Sequence, residues 1–233
     1  MKQTKRQTQF NNDLDFGKWT ESLMVKYIIN YIKEKGFMLS YVCDSDFEAI
    51  NMNEANKKEK LKEFDLKFVL FRSKLDEYGD LVRTHTTPIK YITFEIKADK
   101  YSDTGNLAFE RKDKNKDSGV FVTKADYFIY FLPRFNTENI YMIKSDSLRI
   151  LLLQDKWKNY FNYGGDLGKT LNLIIPKSSF NEDFKAAGGK LETFTNYTIP
   201  EQYNITKFEK PSTTLYKDCL NKGLKQYKNP LDF

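Results

Sequence analysis

The segment Tyr91-Ile92-Thr93-Phe94-Glu95-Ile96-Lys97-Ala98 is dense in β-branched and aromatic residues, the types that suit a pleated sheet. Successive side chains of a strand point to opposite faces, so Glu95 and Lys97 share one face while Phe94 and Ile96 take the other. A carboxylate and an amine two apart on an apolar strand are more often a solvated face with a cross-strand ion pair than a site. The acid-x-Lys triplet recurs at Asp65-Leu66-Lys67, Glu110-Arg111-Lys112 and Asp183-Phe184-Lys185; the triplet alone therefore decides nothing. Its surroundings add weight, because the flank Tyr91–Phe94 predicts burial and a buried charge needs a partner or a metal.

Working upstream, Phe64–Phe71 reads F-D-L-K-F-V-L-F and predicts a second strand. Arg72 to Lys90 is polar, with Gly79 and Pro88, and fits a long hairpin connection that lays Asp65 beside Glu95. The 29 residues between those two carboxylates exceed a tight hairpin, so Asp76 or Asp80 could displace Asp65; the strand-like flanks favour Asp65. Phosphodiester hydrolysis asks for such a set. A hard divalent cation takes oxygen ligands, two carboxylates on adjacent strands supply them, and a nearby lysine orients water and offsets charge in the transition state.

Residues 17–35 predict a helix. Trp19, Leu23, Met24, Tyr27, Ile28, Tyr31 and Ile32 recur at three-to-four-residue spacing, and Gly36 follows as a stop. Glu21 falls at the edge of this apolar stripe, either facing inward or placed there by the helix macrodipole. Phe37–Cys43 is β-like, and 45–63 is a helix or an irregular solvated segment. Leu107–Arg111, after the turn signal Asp103-Thr104-Gly105-Asn106, is a third strand, and Asp113–Gly119 a charged loop. Tyr127–Leu132 predicts a buried strand and Ile140–Ile143 another. Ser145 or Ser147 would N-cap a helix through about Phe161. Leu171–Ile175 is a strand, and beyond Thr193 only a short helix near Thr214–Leu220, ended by Gly223, is suggested. Neither a repeat nor a dividing linker is visible. The order predicts an α/β domain over 1–193 with a mixed central β-sheet flanked by helices, and a C-terminal extension, 194–233, in the same domain or as a peripheral tail.

Composition sets the limits. The chain has 233 residues, 40% of them hydrophobic and 15% aromatic, enough for a globular core. Apolar runs such as Leu148–Leu153 are too short to span a bilayer, and Met1 to Asn12 has no apolar signal region; a soluble, cytoplasmic protein with no membrane partner is expected. One histidine, His85, leaves no His-rich metal cluster and a poor basis for a Ser-His-Asp triad. Two cysteines, Cys43 and Cys219, make neither a zinc finger nor a disulfide framework. Phosphate-loop and dinucleotide fingerprints are missing. Carboxylates and lysines must carry the chemistry. The net charge of +6 favours an anionic partner, although the Lys, Asn, Ile, Tyr and Phe bias of an AT-rich genome accounts for part of it. Trp157, Tyr160, Phe161 and Tyr163, interleaved with lysine, fit base stacking less well than the packed face of a helix.

A helix with Glu21, a strand with Asp65 and then Glu95-Ile96-Lys97 together resemble the PD-(D/E)XK nuclease superfamily, which includes restriction enzymes, archaeal-type Holliday-junction resolvases and phage recombination nucleases. The stretch from Ile92 to Tyr130, with F-E-I-K-A-D-K-Y, G-N-L-A-F-E and S-G-V-F-V-T-K-A-D-Y-F-I-Y, resembles a group of phage and bacterial members more specifically. The resemblance covers roughly residues 15–180, and Phe64 stands where the motif has proline. It implies a restriction-endonuclease-like fold in which Asp65 and Glu95 bind Mg2+ (or Mn2+ in its place), Lys97 positions the attacking water and Glu21 lies near the metal. Glu110 and the Thr123-Lys124-Ala125-Asp126 segment would face the site or the DNA. The implied function is a Mg2+-dependent endonuclease on DNA, structure-specific or restriction-type, with RNA also allowed, a homodimer conceivable, and a bacterial or phage-infected cell as its setting. The alternative is a non-catalytic DNA-binding or assembly protein on the same scaffold.

Overall fold

Along the chain run α1 (Lys5–Glu34), β1 (Met38–Asp44), β2 (Leu66–Phe71), a small hairpin of β3 (Ser73–Leu75) and β4 (Leu81–Arg83), β5 (Lys90–Ala98), β6 (Asn106–Asp113) and β7 (Lys116–Asp117). There follow β8 (Tyr127–Phe131), β9 (Ile140–Lys144), α2 (Ser145–Leu152), β10 (Phe161–Gly164), β11 (Thr170–Pro176), α3 (Lys177–Ala186) and β12 (Lys190–Glu192). The structure is a computed structural model that describes residues 5–44, 53, 56, 63–100, 104–113, 116–164 and 170–203, without the side chains of 5–12 and 44. The 45–62 segment, apart from residues 53 and 56, and the short helix expected near Thr214–Leu220 lie outside the described residues.

Six strands form the central sheet in the order β1-β2-β5-β8-β9-β12. All its pairings are antiparallel except that of β5 with β8, which makes the sheet mixed. A parallel pair needs a crossover. Here the crossover leaves the sheet as β6 and β7 and joins a second sheet, ordered β10-β11-β6-β7.

The alternation of side chains sorts the core into two. Leu66, Phe68, Ile92, Phe94, Ile129 and Phe131 face α1 and pack on Met24, Tyr27 and Ile28. On the opposite face Phe128, Tyr130, Tyr141 and Ile143 meet Leu107, Phe109, Leu173 and Ile175 of the second sheet, together with Leu148 of α2 and Phe180 and Phe184 of α3. Each such side chain contributes about 1.5–3 kcal/mol on burial. The helix α1 starts well before the expected residue 17, while its end falls where the sequence indicates. Gly36 has φ of 79°, and the N–H groups of Gly36 and Phe37 return to the carbonyls of Lys33 and Ile32, the turn that glycine permits past a helix end.

Three elements differ from expectation. The helix opening at Ser145 ends at Leu152 and does not reach Phe161. Asp155–Tyr160 is a separate 3-10 turn in which Trp157 Nε1 donates to the Leu151 carbonyl at 2.9 Å, folding the chain back under α2 so that Phe161 opens β10. The residue capping α2 is Lys144, with Ser145 already helical. The helix α3 gave no signal because KSSFNEDFKA has only Phe180 and Phe184 as anchors, one turn apart. The polar connection 72–89 holds the β3–β4 hairpin, whose turn is made by Asp76: its Oδ1 accepts from the N–H groups of Tyr78 and Asp80.

The described part of the extension, 194–203, lies on α1 and the β8–β9 loop. Phe194 and Tyr197 pack on the α1 core, and Tyr203 meets Phe16 and Trp19. Asn139, fully buried, fastens this segment. Its amide donates to the carbonyls of Phe135 at 2.9 Å and Phe194 at 2.6 Å, and its oxygen accepts from the Phe194 N–H at 2.8 Å. Asn139→Ala is expected to cost about 2–3 kcal/mol by stranding these buried groups; a urea midpoint equal to wild type would show that the segment is not held this way. Among the described residues no helix is long and apolar enough to cross a membrane.

Candidate active site

Asp65 immediately precedes β2, and its N–H donates to the Phe94 carbonyl at 2.9 Å, extending the ladder by one residue. Because Leu66 stands opposite Phe94, Asp65 stands opposite Glu95. The Asp65 carboxylate turns onto β5 and accepts from the Ile96 N–H at 2.6 Å. The alternatives Asp76 and Asp80 sit at the tip of the β3–β4 hairpin, where Asp76 serves the turn.

Glu95 points away from α1. Its Oε2 accepts from the hydroxyl of Thr123 at 2.8 Å, and Thr123 is buried. Arg149, reaching from α2, holds the Thr123 loop by donating to the carbonyls of Val120, at 2.7 Å, and Thr123. Burial, foremost, and then the adjacent negative charge of Asp65 push the Glu95 carboxyl up to about 8; Glu21 presses it the same way, while the Thr123 hydrogen bond and Lys97 oppose. Glu21, Asp65, Glu95 and Lys97 thus fall within one electrostatic neighbourhood although they come from α1, from β5 and from the residue before β2.

Lys97 is exposed and opens, with Glu95 and Glu110, onto a cleft of about 200 Å3 between β5 and β6. Glu110 on β6 accepts a hydrogen bond from Ser118. The far wall is tied down by Tyr130, which lies opposite Lys97 in the parallel register. Its buried hydroxyl accepts from the Ala108 N–H at 2.9 Å and donates to Asp99 at 3.0 Å. Gly119 completes the wall. Its φ is 55°, and a Cβ there would lie 3.0 Å from the Glu110 carbonyl, so only glycine allows the 3-10 turn Gly119–Phe121 to sit this close to β6.

Lys124 lies outside this cleft. It is exposed, pairs with Glu63 at 3.3 Å, and lines a neighbouring hollow that also reaches Thr123 and Arg149. His85 is exposed on the connection into β5.

No family model, curated protein or solved structure matches the chain.

Sequence reading singled out the strand-borne carboxylates and lysine but not Arg149 or Ser118, and it placed Thr123 only within a polar segment. The one available signal was Ser118-Gly119, a turn pair after a charged run; nothing marks Arg149, whose role comes from the docking of α2. Among the described residues no group of three or more His, Cys, Asp or Glu side chains is placed to hold a metal. The acidic pair is smaller than that, but Mg2+ commonly takes one or two carboxylates and keeps water and phosphate oxygens for the rest. Two hard oxygen donors side by side, one of them half-buried and repelled by the other, fit such an ion.

Proposed function

We propose that this chain is a metal-dependent nuclease that hydrolyses phosphodiester bonds of DNA, on a restriction-endonuclease-like scaffold. The observation that carries the reading is the cross-strand register that sets Asp65 against Glu95, with Lys97 on the same face of β5 and open to a cleft. In this reading Asp65 and Glu95 hold a Mg2+ ion, which when bound would neutralise charge on the scissile phosphate. Lys97 donates to the attacking water and to the phosphate oxygens as negative charge builds on them. Thr123, held by Arg149, fixes the Glu95 side chain so that its second oxygen stays directed at the site. Glu21 adds negative potential that draws the cation inward. The topology supports the scaffold assignment: α1 covers one face of a sheet in which the antiparallel strands β1, β2 and β5 are followed by a parallel β8.

A second reading has one observation in its favour. Asp65, Glu95 and Glu110 each already accept a hydrogen bond from the protein, as they would in a DNA-binding or assembly protein that has kept the scaffold and lost the metal. The two part in one assay. Purified protein with Mg2+ or Mn2+ is mixed with supercoiled, linear, single-stranded and four-way-junction DNA. Cutting that EDTA abolishes is expected, and the favoured substrate names the role. No cutting on any of them, together with no metal-dependent thermal shift, would replace the nuclease by the binding protein.

A further inference from the structure

We infer that an apolar groove on the α1 face of the central sheet, the face opposite Glu95, binds an unpaired polynucleotide strand and passes it round the end of the sheet at Lys90 and Tyr127 toward Thr123 and Glu95. The inference deepens the nuclease reading by naming its substrate class, and rests on that reading for its purpose.

The groove, about 590 Å3, lies between the end of α1 and the sheet. Its floor is apolar and aromatic, from Ile92, Phe94, Tyr127 and Met142, and Phe94 and Tyr127 are stacked with centroids 5.6 Å apart. Its lining also includes four lysines, Lys35, Lys90, Lys144 and Lys190. Two of these cluster at one ring, with the Lys35 and Lys190 ammonium groups 5.2 and 5.6 Å from the centroid of Tyr31. Lys90 and Lys144 are exposed, and neither has an ion-pair partner among the described residues. Like charges gathered around an apolar hollow repel one another, an arrangement relieved by a ligand that is anionic outside and flat and apolar within.

A second hollow of about 450 Å3 continues from the first. The two share Lys90, Tyr127 and Lys144, and the second is also lined by the cations Lys124 and Arg149, by the carboxylates Asp126 and Asp146, and by Thr123, whose hydroxyl holds Glu95. The cations of this second hollow are Lys90 and Lys144, shared with the groove, and Lys124 and Arg149, which pair with Glu63 and Asp146; the five steps along β5 from Lys90 to Glu95 span about 17 Å, the reach of a few nucleotides.

Charge complementarity and the floor together select the occupant. A single strand presents phosphates to the lysines and unstacked bases to the aromatic floor. A duplex keeps its base faces hidden and would use the lysines alone. A fatty acid would fill the floor but brings only one charge to four cations.

The test is fluorescence anisotropy in EDTA, so that nothing is cut, with labelled single-stranded DNA, single-stranded RNA and duplex DNA of one sequence. The wild type is expected to bind a single strand about tenfold more tightly than duplex, and the DNA and RNA arms identify which strand it prefers. Lys90→Glu with Lys144→Glu should weaken single-strand binding about tenfold or more and flatten its salt dependence. The milder Lys90→Gln with Lys144→Gln should do the same to a lesser degree, with a thermal midpoint matching wild type. Equal affinity for duplex and single strand, unaltered binding in both double variants, or displacement of the strand by a fluorescent fatty acid would each overturn the inference. Cleavage in Mg2+, measured in parallel, separates the two levels. Cutting by wild type with unaltered binding in the variants removes the groove and leaves the nuclease. Binding lost in the variants without cutting by wild type keeps the groove and removes the nuclease.

Discussion

Lys97→Ala is expected to lower metal-dependent cleavage by about a hundred- to a thousandfold, the usual effect of deleting one donor aimed at developing transition-state charge. The lysine is suited to such a test because it is exposed and absent from both buried clusters, so its removal leaves the fold intact. Lys97 eases the burden on Glu95; binding of DNA measured without metal should change little. Cleavage rates within a few-fold of wild type would remove Lys97 from the chemistry, and with it the strongest reason for treating the β5 triplet as a site. Lys97→Arg keeps the charge but replaces a compact ammonium with a planar fork, and should recover little.

Glu95→Gln is expected to do two opposite things: abolish cleavage and stabilise the protein at alkaline pH. The Glu95 carboxyl is held up at about 8 by burial and by Asp65, so the folded protein favours the protonated form. Stability from this source is complete below the ordinary carboxylate range and is lost as pH rises through about 8. Glutamine keeps the shape and never ionises. Above that pH the variant should therefore gain on the order of 2 kcal/mol over wild type, after allowance for a carboxylate that is partly exposed, and below the carboxylate range the two should converge. Urea midpoints measured across pH decide it; parallel curves at all pH values would mean that the carboxyl is not strained by its surroundings. A cation at the site would reverse the wild-type loss by stabilising the ionised form, so Mg2+ should protect wild type increasingly as pH rises and leave the variant unmoved.

Much of the central sheet was legible because its strands bury one or both faces. The runs in β2, β5, β8 and β9 have enough apolar and branched residues to be recognised without a partner in view. The pairing of Asp65 with Glu95 was legible as well, although 29 residues separate them, since the flanks of both read as strand. What fills the gap, the β3–β4 hairpin, was not, because its strands are three residues each and half-exposed. The same limit hid α3, whose two phenylalanines are meaningful only once the second sheet stands beneath them. Periodicity also says nothing about which sheet a strand joins. Leu107–Arg111 reads as a strand from its own residues, but its departure from the central sheet, which brings Glu110 across from Glu95, follows from pairing with β11 and from the Tyr130 hydroxyl. Thr123 and Arg149 act through contacts between distant segments, where local sequence carries no mark.

The pairing of β6 with β11 also imposes an order on how this molecule comes into being. Asp65, Glu95 and Lys97 leave the ribosome early, but the strand that anchors the opposite wall is not made until residue 176. A nascent chain can hold Asp65 against Glu95 in register long before the second sheet closes the cleft beside them, so the acidic pair is synthesised first and the wall that faces it last.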